Sequence, residues 1–125
     1  MLAAMEAAQQ PRETIRVGAL EIHPSEGLAL ADGSALSLSV REFGLLVALA
    51  RSGGRIVQRE DLYRRVWGGA LRDGDRSIDV YVHKLRVKLE QALPDREFIH
   101  THVGFGYRFA PVRSATPKHD HEESL

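Results

Sequence analysis

Residues 76–89 read RSIDVYVHKLRVKL, and the periodicity of this stretch decides the fold. At 3.6 residues per turn, four of its apolar residues fall within an arc of about 60° and predict the buried stripe of an amphipathic helix. These four are Ile78, Val82, Leu85 and Leu89. The opposite side carries Arg76, Val80, His83 and Val87, with Lys84 beside them. One flank carries Ser77, Tyr81 and Lys88, and the other carries Asp79, Arg86 and Glu90.

The side opposite the stripe has a composition that suits a DNA major groove. Arg76 and Lys84 can reach phosphates or guanine acceptors, and His83 can hydrogen-bond to phosphates or base edges. Val80 and Val87 can pack against thymine methyl groups. The alternative is an ordinary solvated face with two tolerated valines, since single exposed apolar side chains are common. This helix alone leaves both interpretations open.

Composition limits the chain to one small domain. Its 125 residues, 43% of them hydrophobic, can form one core but not two full domains. The formal net charge is 0, yet residues 51–90 hold ten Lys/Arg against six Asp/Glu, a local balance of +4. Residues 1–50 have a balance of −3 and residues 91–125 a balance of −1. A local basic patch, rather than the total charge, attracts phosphates.

Several other classes of protein are excluded or disfavoured. The chain has no cysteine, which excludes disulfides, thiolate metal sites and cysteine nucleophiles. The longest apolar run covers the eight residues 43–50, whereas a membrane helix takes roughly 20. The N-terminus has no positive charge ahead of its apolar residues and does not resemble a secretory signal. No phosphate-binding loop, Ser/His/Asp order or paired carboxylates stand out, so we expect neither an enzyme nor a cofactor.

A first helix begins after Ser39. The sequence SVRE is an S-x-x-E capping box, in which Ser39 and Glu42 each satisfy a backbone amide of the other. A core-facing stripe follows at i, i+3, i+4 and i+7. Its members are Phe43, Leu46, Val47 and Ala50. We expect Gly53 and Gly54 to end this helix in the left-handed conformation.

A second helix spans about residues 59–67. Leu62, Val66 and Tyr63 face inward in it, and Gly68 with Gly69 stops it. A polar loop then leads to the third helix. Its predicted N-cap is Asp75, with Ser77 as the alternative.

Strands flank the three helices. Residues 15–38 contain alternating runs about Asp32-Gly33, a strong signal for a tight hairpin turn, and predict a small antiparallel meander. Residues 56–57 form a short apolar bridge. Residues 98–109 predict a second hairpin, turning at Gly104 and Gly106.

The order of elements predicts an α+β winged helix-turn-helix: an N-terminal antiparallel sheet, three helices and a C-terminal β-hairpin wing. The second helix, a polar turn and the third helix form the reading unit, and the hairpin supplies a flanking contact. The domain spans residues 15–113. Residues 1–14 are predicted to be a flexible linker and residues 114–125 a disordered tail.

Three segments carry the motifs of a known family. They read LSLSVREFGLLVALARSGGRIVQREDLYRRVWG (36–68), DRSIDVYVHKLRVKLE (75–90) and FIHTHVGFGYRF (98–109). The motifs E-F-x-L-L, R-E-x-L followed by V-W-G, R-[ST]-[IV]-D-V, L-R-x-K-L and G-x-G-Y-R-F closely resemble the effector domain of OmpR/PhoB bacterial response regulators. The resemblance covers about residues 15–110.

This resemblance implies a fold, a function and partners. It implies a four-stranded N-terminal sheet, a third helix (about 76–90) in the major groove and a wing against the adjacent minor groove or backbone. It also implies head-to-tail dimers on direct repeats, an RNA polymerase contact through the loop between the second and third helices, and a bacterial cytoplasmic location. We therefore predict a sequence-specific, double-stranded DNA-binding transcription regulator without membrane contact. The alternative is a winged helix that acts mainly as a protein–protein module contacting RNA polymerase.

Motif positions assign the site residues. The resemblance implies DNA contacts at Arg76, Val80, Tyr81, His83, Lys84 and Arg86, and a phosphate contact at Thr101. With the rest of the helix and the wing, the predicted DNA-binding set is Arg76, Ser77, Val80, Tyr81, His83, Lys84, Arg86, Val87, Lys88, Thr101, His102 and Arg108. The predicted polymerase-contacting set is Trp67, Gly68, Leu71, Arg72 and Asp73.

The chain departs from the family pattern at a few positions. Val103 stands where members often carry Arg, so the wing lacks its usual minor-groove cation, and His102 and Arg108 are the candidate substitutes. Gln58 stands where Ser usually begins the second helix, and Gln is a poorer cap. Tyr81 and His83 replace the more common His and Arg, which predicts a different base preference.

Other assignments stay open at this stage. Trp67 is predicted to be partly in the core, with a polymerase contact through its edge as the alternative. His100 and His102 lie on one face of a strand without an evident third metal ligand, so we favour a phosphate or base contact over a metal site, and plain surface exposure for one of the two. HDHEE (119–123) is a weak metal candidate that we do not adopt. The family's phosphorylatable receiver has no counterpart before Thr14, so we expect either a fragment of a longer regulator or a standalone effector.

Overall fold

The computed structural model describes residues 13–114. The predicted linker over 1–14, the tail over 114–125 and the HDHEE stretch therefore lie outside the described residues, apart from residues 13, 14 and 114. Glu13 forms an ion pair with Arg51, and the amide of Ser114 donates to the carbonyl of Asp95 at 3.0 Å. Both ends of the described chain are thus attached to the domain.

The elements follow the predicted order within residues 13–114. They are β1 (Ile15–Val17), β2 (Leu20–His23), a 3-10 turn (Pro24–Glu26), β3 (Leu28–Ala31), β4 (Ser34–Ala35), α1 (Val40–Ala50), β5 (Ile56–Val57), α2 (Arg59–Trp67), α3 (Ser77–Ala92), β6 (Arg96–His102) and β7 (Gly106–Arg113). This order confirms the α+β winged helix-turn-helix. No helix in this part of the chain has both the length and the apolar character needed to cross a bilayer.

The N-terminal meander is a four-stranded antiparallel sheet in the order β1-β2-β3-β4. The predicted tight turn joins β3 to β4, where Asp32 and Gly33 have φ of 52° and 86°. Two successive left-handed residues are what a two-residue type I′ hairpin turn requires. The inward positions of β2 and β3 contribute Leu20, Ile22, Ala29 and Ala31 to the core.

Helix α1 begins at the predicted capping box and lies at the centre of the core. Ser39 Oγ accepts from the amide of Glu42 at 3.1 Å, and Glu42 Oε1 accepts from the amide of Ser39 at 2.8 Å. Three apolar residues outside the predicted stripe are also buried, namely Leu45, Ala48 and Leu49. They are buried because α1 contacts α2, α3 and β7.

Gly53 and Gly54 are left-handed, as predicted, but the prediction that they end α1 is wrong. The helix ends at Ala50, and its cap, Arg51, is right-handed with φ of −71°. The amide and the hydroxyl of Ser52 both donate to the carbonyl of Leu49, at 3.1 and 2.5 Å, so the chain tightens before the glycines. Gly53 and Gly54, with φ of 65° and 85°, lie in the turn that follows.

Helix α2 has the predicted bounds. Gln58 is its N-cap and makes no side-chain capping bond, as expected for Gln. Gly68, with φ of 86°, ends the helix by donating its amide to the carbonyl of Arg64. Leu62 is fully buried, and Tyr63 and Val66 pack against the core.

The stripe of α3 is confirmed, whereas its predicted N-cap is wrong. Ile78, Val82, Leu85 and Leu89 are all buried. The N-cap residue is Arg76, which makes no side-chain capping bond. Asp75 Oδ1 instead accepts from both the amide and the hydroxyl of Ser77, at 2.8 and 2.6 Å. A short Asp side chain bonds readily to the amide two residues ahead, and this turn displaces the cap by one position.

The wing belongs to a three-stranded sheet in the order β5-β7-β6. Residues 56–57, expected as a bridge, are the strand that pairs with β7 at Val57↔Tyr107. A Cβ on Gly106, which has φ of 146°, would lie 2.1 Å from the carbonyl oxygen of Val57. Only glycine therefore allows this contact, which fixes the tip of the wing over the start of α2.

Candidate nucleic-acid interface

The outward face of α3 consists of Arg76, Val80, His83, Lys84 and Val87. Val80 and Val87 are 47% and 38% exposed, although both are apolar. His83 and Lys84 are exposed. The side chain of His83 forms no hydrogen bond or ion pair with any residue in 13–114, and the ammonium of Lys84 lies over the ring of Tyr81, 4.8 Å from its centroid. This face therefore presents, between two apolar side chains, two polar groups that form no hydrogen bond or ion pair with residues 13–114.

Arg76 lies at the N-terminal end of this face. Its Nη1 is 3.6 Å from Asp79 Oδ2, and its side chain is 80% exposed. At this distance and exposure the ion pair is weak. The guanidinium can therefore exchange Asp79 for an external anion at little cost.

The wing-facing flank of α3, formed by Asp79 and Arg86, is committed to the fold. Arg86 Nη2 donates to the carbonyl of Ile99 and to Thr101 Oγ1, both at 3.0 Å. Two residues of the predicted DNA-binding set, Arg86 and Thr101, therefore bind each other and join α3 to β6.

Asp79 is the centre of a polar network that joins three elements. Its carboxylate accepts from the Tyr107 hydroxyl at 2.5 Å and from Arg59 Nη2 and Nε at 2.9 and 3.2 Å. Arg59 Nη2 also donates to the carbonyl of Asp75 at 3.1 Å. The start of α2, the first turn of α3 and the wing strand β7 are thereby held together.

This network shifts the pKa values of its members. Burial opposes ionisation of Asp79, but the hydrogen bonds from Tyr107 and Arg59 outweigh it and hold the pKa of this carboxyl below its ordinary value. Burial and the bond to Asp79 raise the pKa of Tyr107 to about 12. Sequence reasoning missed Arg59, Asp79 and Tyr107 as site residues. Their signal was present, because each lies inside one of the quoted motifs, R-E-x-L, R-[ST]-[IV]-D-V and G-Y-R-F.

The third side of α3 faces α1 through Lys88. Its ammonium donates to Glu42 Oε1 at 2.6 Å and to the carbonyl of Ser37 at 2.8 Å. Glu42 is only 4% exposed. Burial would raise its pKa, but hydrogen bonds from Lys88 and Ser39 lower it below the ordinary value. Lys88 therefore compensates a buried carboxylate.

Trp67 lies in an aromatic cluster between α2 and α3. Its ring stacks on Tyr63 at 5.0 Å between centroids and meets Tyr81 edge-on at 5.4 Å. The Arg41 guanidinium lies 5.1 Å from the same ring. The prediction that Trp67 is partly in the core is confirmed. In the loop that follows, Leu71 is half-buried, whereas Gly68, Arg72 and Asp73 are exposed.

The wing presents polar residues along β6 and apolar residues at its tip. Thr101 is exposed and His102 is half-buried. Val103 and Phe105 are 88% and 71% exposed. Phe105 occupies the unspecified position of the G-x-G-Y-R-F motif. Arg108 is half-buried on β7, and no described residue receives a hydrogen bond from its guanidinium.

The two histidines of β6 do not form a metal site with their neighbours. The ring Nε2 of His100 lies 2.8 Å from the carbonyl oxygen of Ala110, within hydrogen-bond distance. Across residues 13–114, no three His, Asp or Glu side chains are grouped so that they could hold a metal ion.

Comparison with known proteins gives consistent matches. The family described as "Transcriptional regulatory protein, C terminal" matches residues 33–109. The Escherichia coli K12 transcriptional regulatory protein CreB is 35% identical over 108 residues, which cover 86% of this chain and 47% of CreB. CpxR of the same strain is 38% identical over 94 residues, covering 75% of this chain and 40% of CpxR. The chain thus spans less than half the length of these curated relatives.

Two solved structures share this fold. The DNA-binding domain of E. coli CpxR superposes with a TM-score of 0.72 at 36% identity, covering 78% of this chain and 96% of that domain. The Klebsiella pneumoniae RstA DNA-binding domain, solved in complex with the RstA box, superposes with a TM-score of 0.71 at 34% identity. The superposition covers 80% of this chain and 99% of the RstA domain.

Proposed function

The chain belongs to the family of transcriptional regulatory protein C-terminal domains of the OmpR/PhoB type, and we propose that it is a sequence-specific, double-stranded DNA-binding transcription regulator. The observation that carries this proposal is the division of polar groups on α3. The two flanks bind the rest of the fold, whereas the outward face exposes His83, Lys84 and two valines without a structural purpose. The similar RstA domain was solved in complex with its RstA box, which supports DNA binding by this fold.

In this proposal α3 lies in the major groove. Lys84 and Arg76 bind phosphates or guanine acceptors, His83 binds a phosphate or a base edge, and Val80 and Val87 contact thymine methyl groups. Tyr81 holds Lys84 in place through the contact of the ammonium with its ring. Binding releases counterions from the phosphates, so the affinity falls as salt rises.

Several of the remaining residues of the predicted set already form hydrogen bonds within the domain. Arg86 and Lys88 already bind groups within the fold, so we assign them chiefly to positioning α3. Ser77 gives its hydroxyl proton to Asp75. Thr101 only accepts from Arg86, and its own hydroxyl proton remains available to a phosphate. His102 and Arg108 lie on the two strands of the wing and are kept as phosphate contacts.

The partners beyond DNA rest on family membership. We propose head-to-tail dimers on direct repeats and action in the bacterial cytoplasm. The exposed loop carrying Arg72 and Asp73 supports a contact with RNA polymerase beside Trp67. The competing view, a winged helix acting mainly through protein contact, gives no purpose to the outward face of α3.

Selection from a random duplex library tests the proposal. The wild-type chain should enrich one motif, present as direct repeats about one helical turn apart. Val80→Ala should relax the enriched base at one position of each repeat, because a thymine methyl contact is lost. Val112→Ala, at a similarly exposed valine near the base of the wing, should leave the motif unchanged. A wild-type chain that enriches no motif would refute sequence-specific binding and favour the protein-contact alternative.

A further inference from the structure

The tip of the wing exposes two large apolar side chains and no cation. Residues 101–107 read THVGFGY and contain neither Lys nor Arg. Phe105 is 71% exposed, and its ring contacts no other aromatic ring among the residues that the structure describes. An aromatic side chain held in water is unfavourable, so its exposure suggests a partner.

The fold holds this tip rigidly. The amide of Phe105 donates to the carbonyl of His102 at 2.8 Å, which closes the turn through Gly104 at φ of 83°. Gly106 rests against the backbone of Val57, and the next residue, Tyr107, is fixed to Asp79 of α3. Phe105 therefore projects from a hydrogen-bonded turn whose C-terminal side is anchored to β5 and α3. A rigid tip loses little conformational entropy when it binds.

The tip is continuous with the proposed DNA interface. A cleft of about 380 Å³ lies between the wing and the start of α3, with Val103 and Phe105 on one wall and Arg76 and Asp79 on the other. Arg76 is the exposed cation at the N-terminal end of the outward face of α3. A polyanion bound along that face therefore passes over the cleft and meets the tip.

We propose that Phe105 is an apolar wedge that inserts into the minor groove and selects base pairs without a minor-groove amino group. This inference rests on the proposed function and extends it to the wing. A phenyl ring cannot bind phosphates or read base acceptors, but it can press on deoxyriboses or between base steps. The N2 amino group of guanine projects into that groove and obstructs the ring, whereas A·T pairs leave the floor open. Pyrimidine–purine steps such as TA unstack most easily and are the expected target.

A base substitution that changes only the minor groove tests this directly. Replacing adenine by 2,6-diaminopurine keeps every major-groove group and adds an N2 amino group in the minor groove. The substitution is moved one pair at a time through the flanks of the selected site, and affinities are measured for wild type, Phe105→Ala and Val112→Ala. At one flanking step, wild type and Val112→Ala should bind about tenfold more weakly. Phe105→Ala should bind the unmodified duplex about tenfold more weakly and show no response to diaminopurine.

Further readouts separate the possible failures. Phe105→Ala should keep the wild-type melting temperature and the wild-type dependence of affinity on salt, because Phe105 neither supports the core nor binds a phosphate. Equal diaminopurine sensitivity in wild type and Phe105→Ala would overturn the wedge, as would an unchanged affinity of Phe105→Ala for the unmodified duplex. Absence of wild-type binding to the unmodified duplex would instead contradict the proposed function itself.

Discussion

The outward face and the wing-facing flank of α3 both carry charged and polar residues, but these residues contact different partners. On the outward face, Lys84 and His83 are exposed to solvent, and two valines are exposed beside them. On the wing-facing flank, Asp79 accepts hydrogen bonds from Tyr107 and Arg59. Arg86 donates to the carbonyl of Ile99 and to Thr101. One helix therefore separates its polar groups into a set that builds the domain and a set that is available to a partner. A change on the first set should alter stability, and a change on the second should alter binding.

The largest effect is expected from Val87→Asp on the outward face. A carboxylate there would repel phosphates and remove a contact to a thymine methyl group. We expect DNA affinity to fall by on the order of a hundredfold or more while the melting temperature stays near the wild-type value. Titration of a labelled duplex and a thermal melt measure the two quantities. Val112→Asp places the same charge at a valine of similar exposure away from α3 and serves as the control. A comparable loss of affinity in both variants would remove the special role of the outward face.

The next largest effect is expected from Asp79→Ala on the wing-facing flank. This change leaves Arg59 and the Tyr107 hydroxyl without their shared acceptor. We expect the free energy of unfolding to fall by about 2–4 kcal/mol, as for the loss of charged hydrogen bonds in a partly buried site. Chemical denaturation measures it. Asp73→Ala, at an exposed loop carboxylate, should change stability by no more than about 0.5 kcal/mol.

These two sets could be told apart only in part from the sequence. Periodicity alone identified the buried stripe of α3, because every stripe residue faces the same side of the helix. A helical wheel gives the direction of a side chain but not the element that lies across from it. The resemblance placed Arg86 in the predicted DNA-binding set, and the wheel placed Lys88 on a flank. Neither could show that the two cations bind acceptors on Ile99, Ser37 and Glu42, which lie far away in the sequence.

Local geometry accounts for the other differences. The end of α1 and the cap of α3 were misplaced because of local side-chain bonds. Ser52 bonds to Leu49 before the glycines are reached, and the bonds of Asp75 to Ser77 move the cap by one position. The sequence did not single out Phe105, because it lies at the unspecified position of G-x-G-Y-R-F and an apolar residue at a turn has no periodicity to mark its direction.

A smaller effect concerns acid. The pKa of Asp79 is lowered in the folded state, so its contribution to stability is present above the ordinary aspartate pKa of 3.8 and is lost as pH falls through the lower folded value. Below about pH 4, wild type should lose stability more steeply than Asp79→Asn. Urea denaturation between pH 2 and 7 measures both slopes. Parallel slopes would show that Asp79 does not stabilise the fold through its charge.

The most direct test of whether α3 carries one set of polar groups for the fold and another for DNA compares two lysine variants. The salt dependence of DNA affinity is measured side by side for Lys84→Ala and Lys88→Ala. The two lysines are one helical turn apart, and each variant loses the same charge. Lys84→Ala should reduce the slope of log affinity against log salt by about 1, with unchanged stability, because it removes a phosphate contact. Lys88→Ala should keep the wild-type slope but lose about 1–3 kcal/mol of stability, since Glu42 remains buried without its cation. The reverse pattern, with the slope lowered by Lys88→Ala and unchanged by Lys84→Ala, would contradict the account.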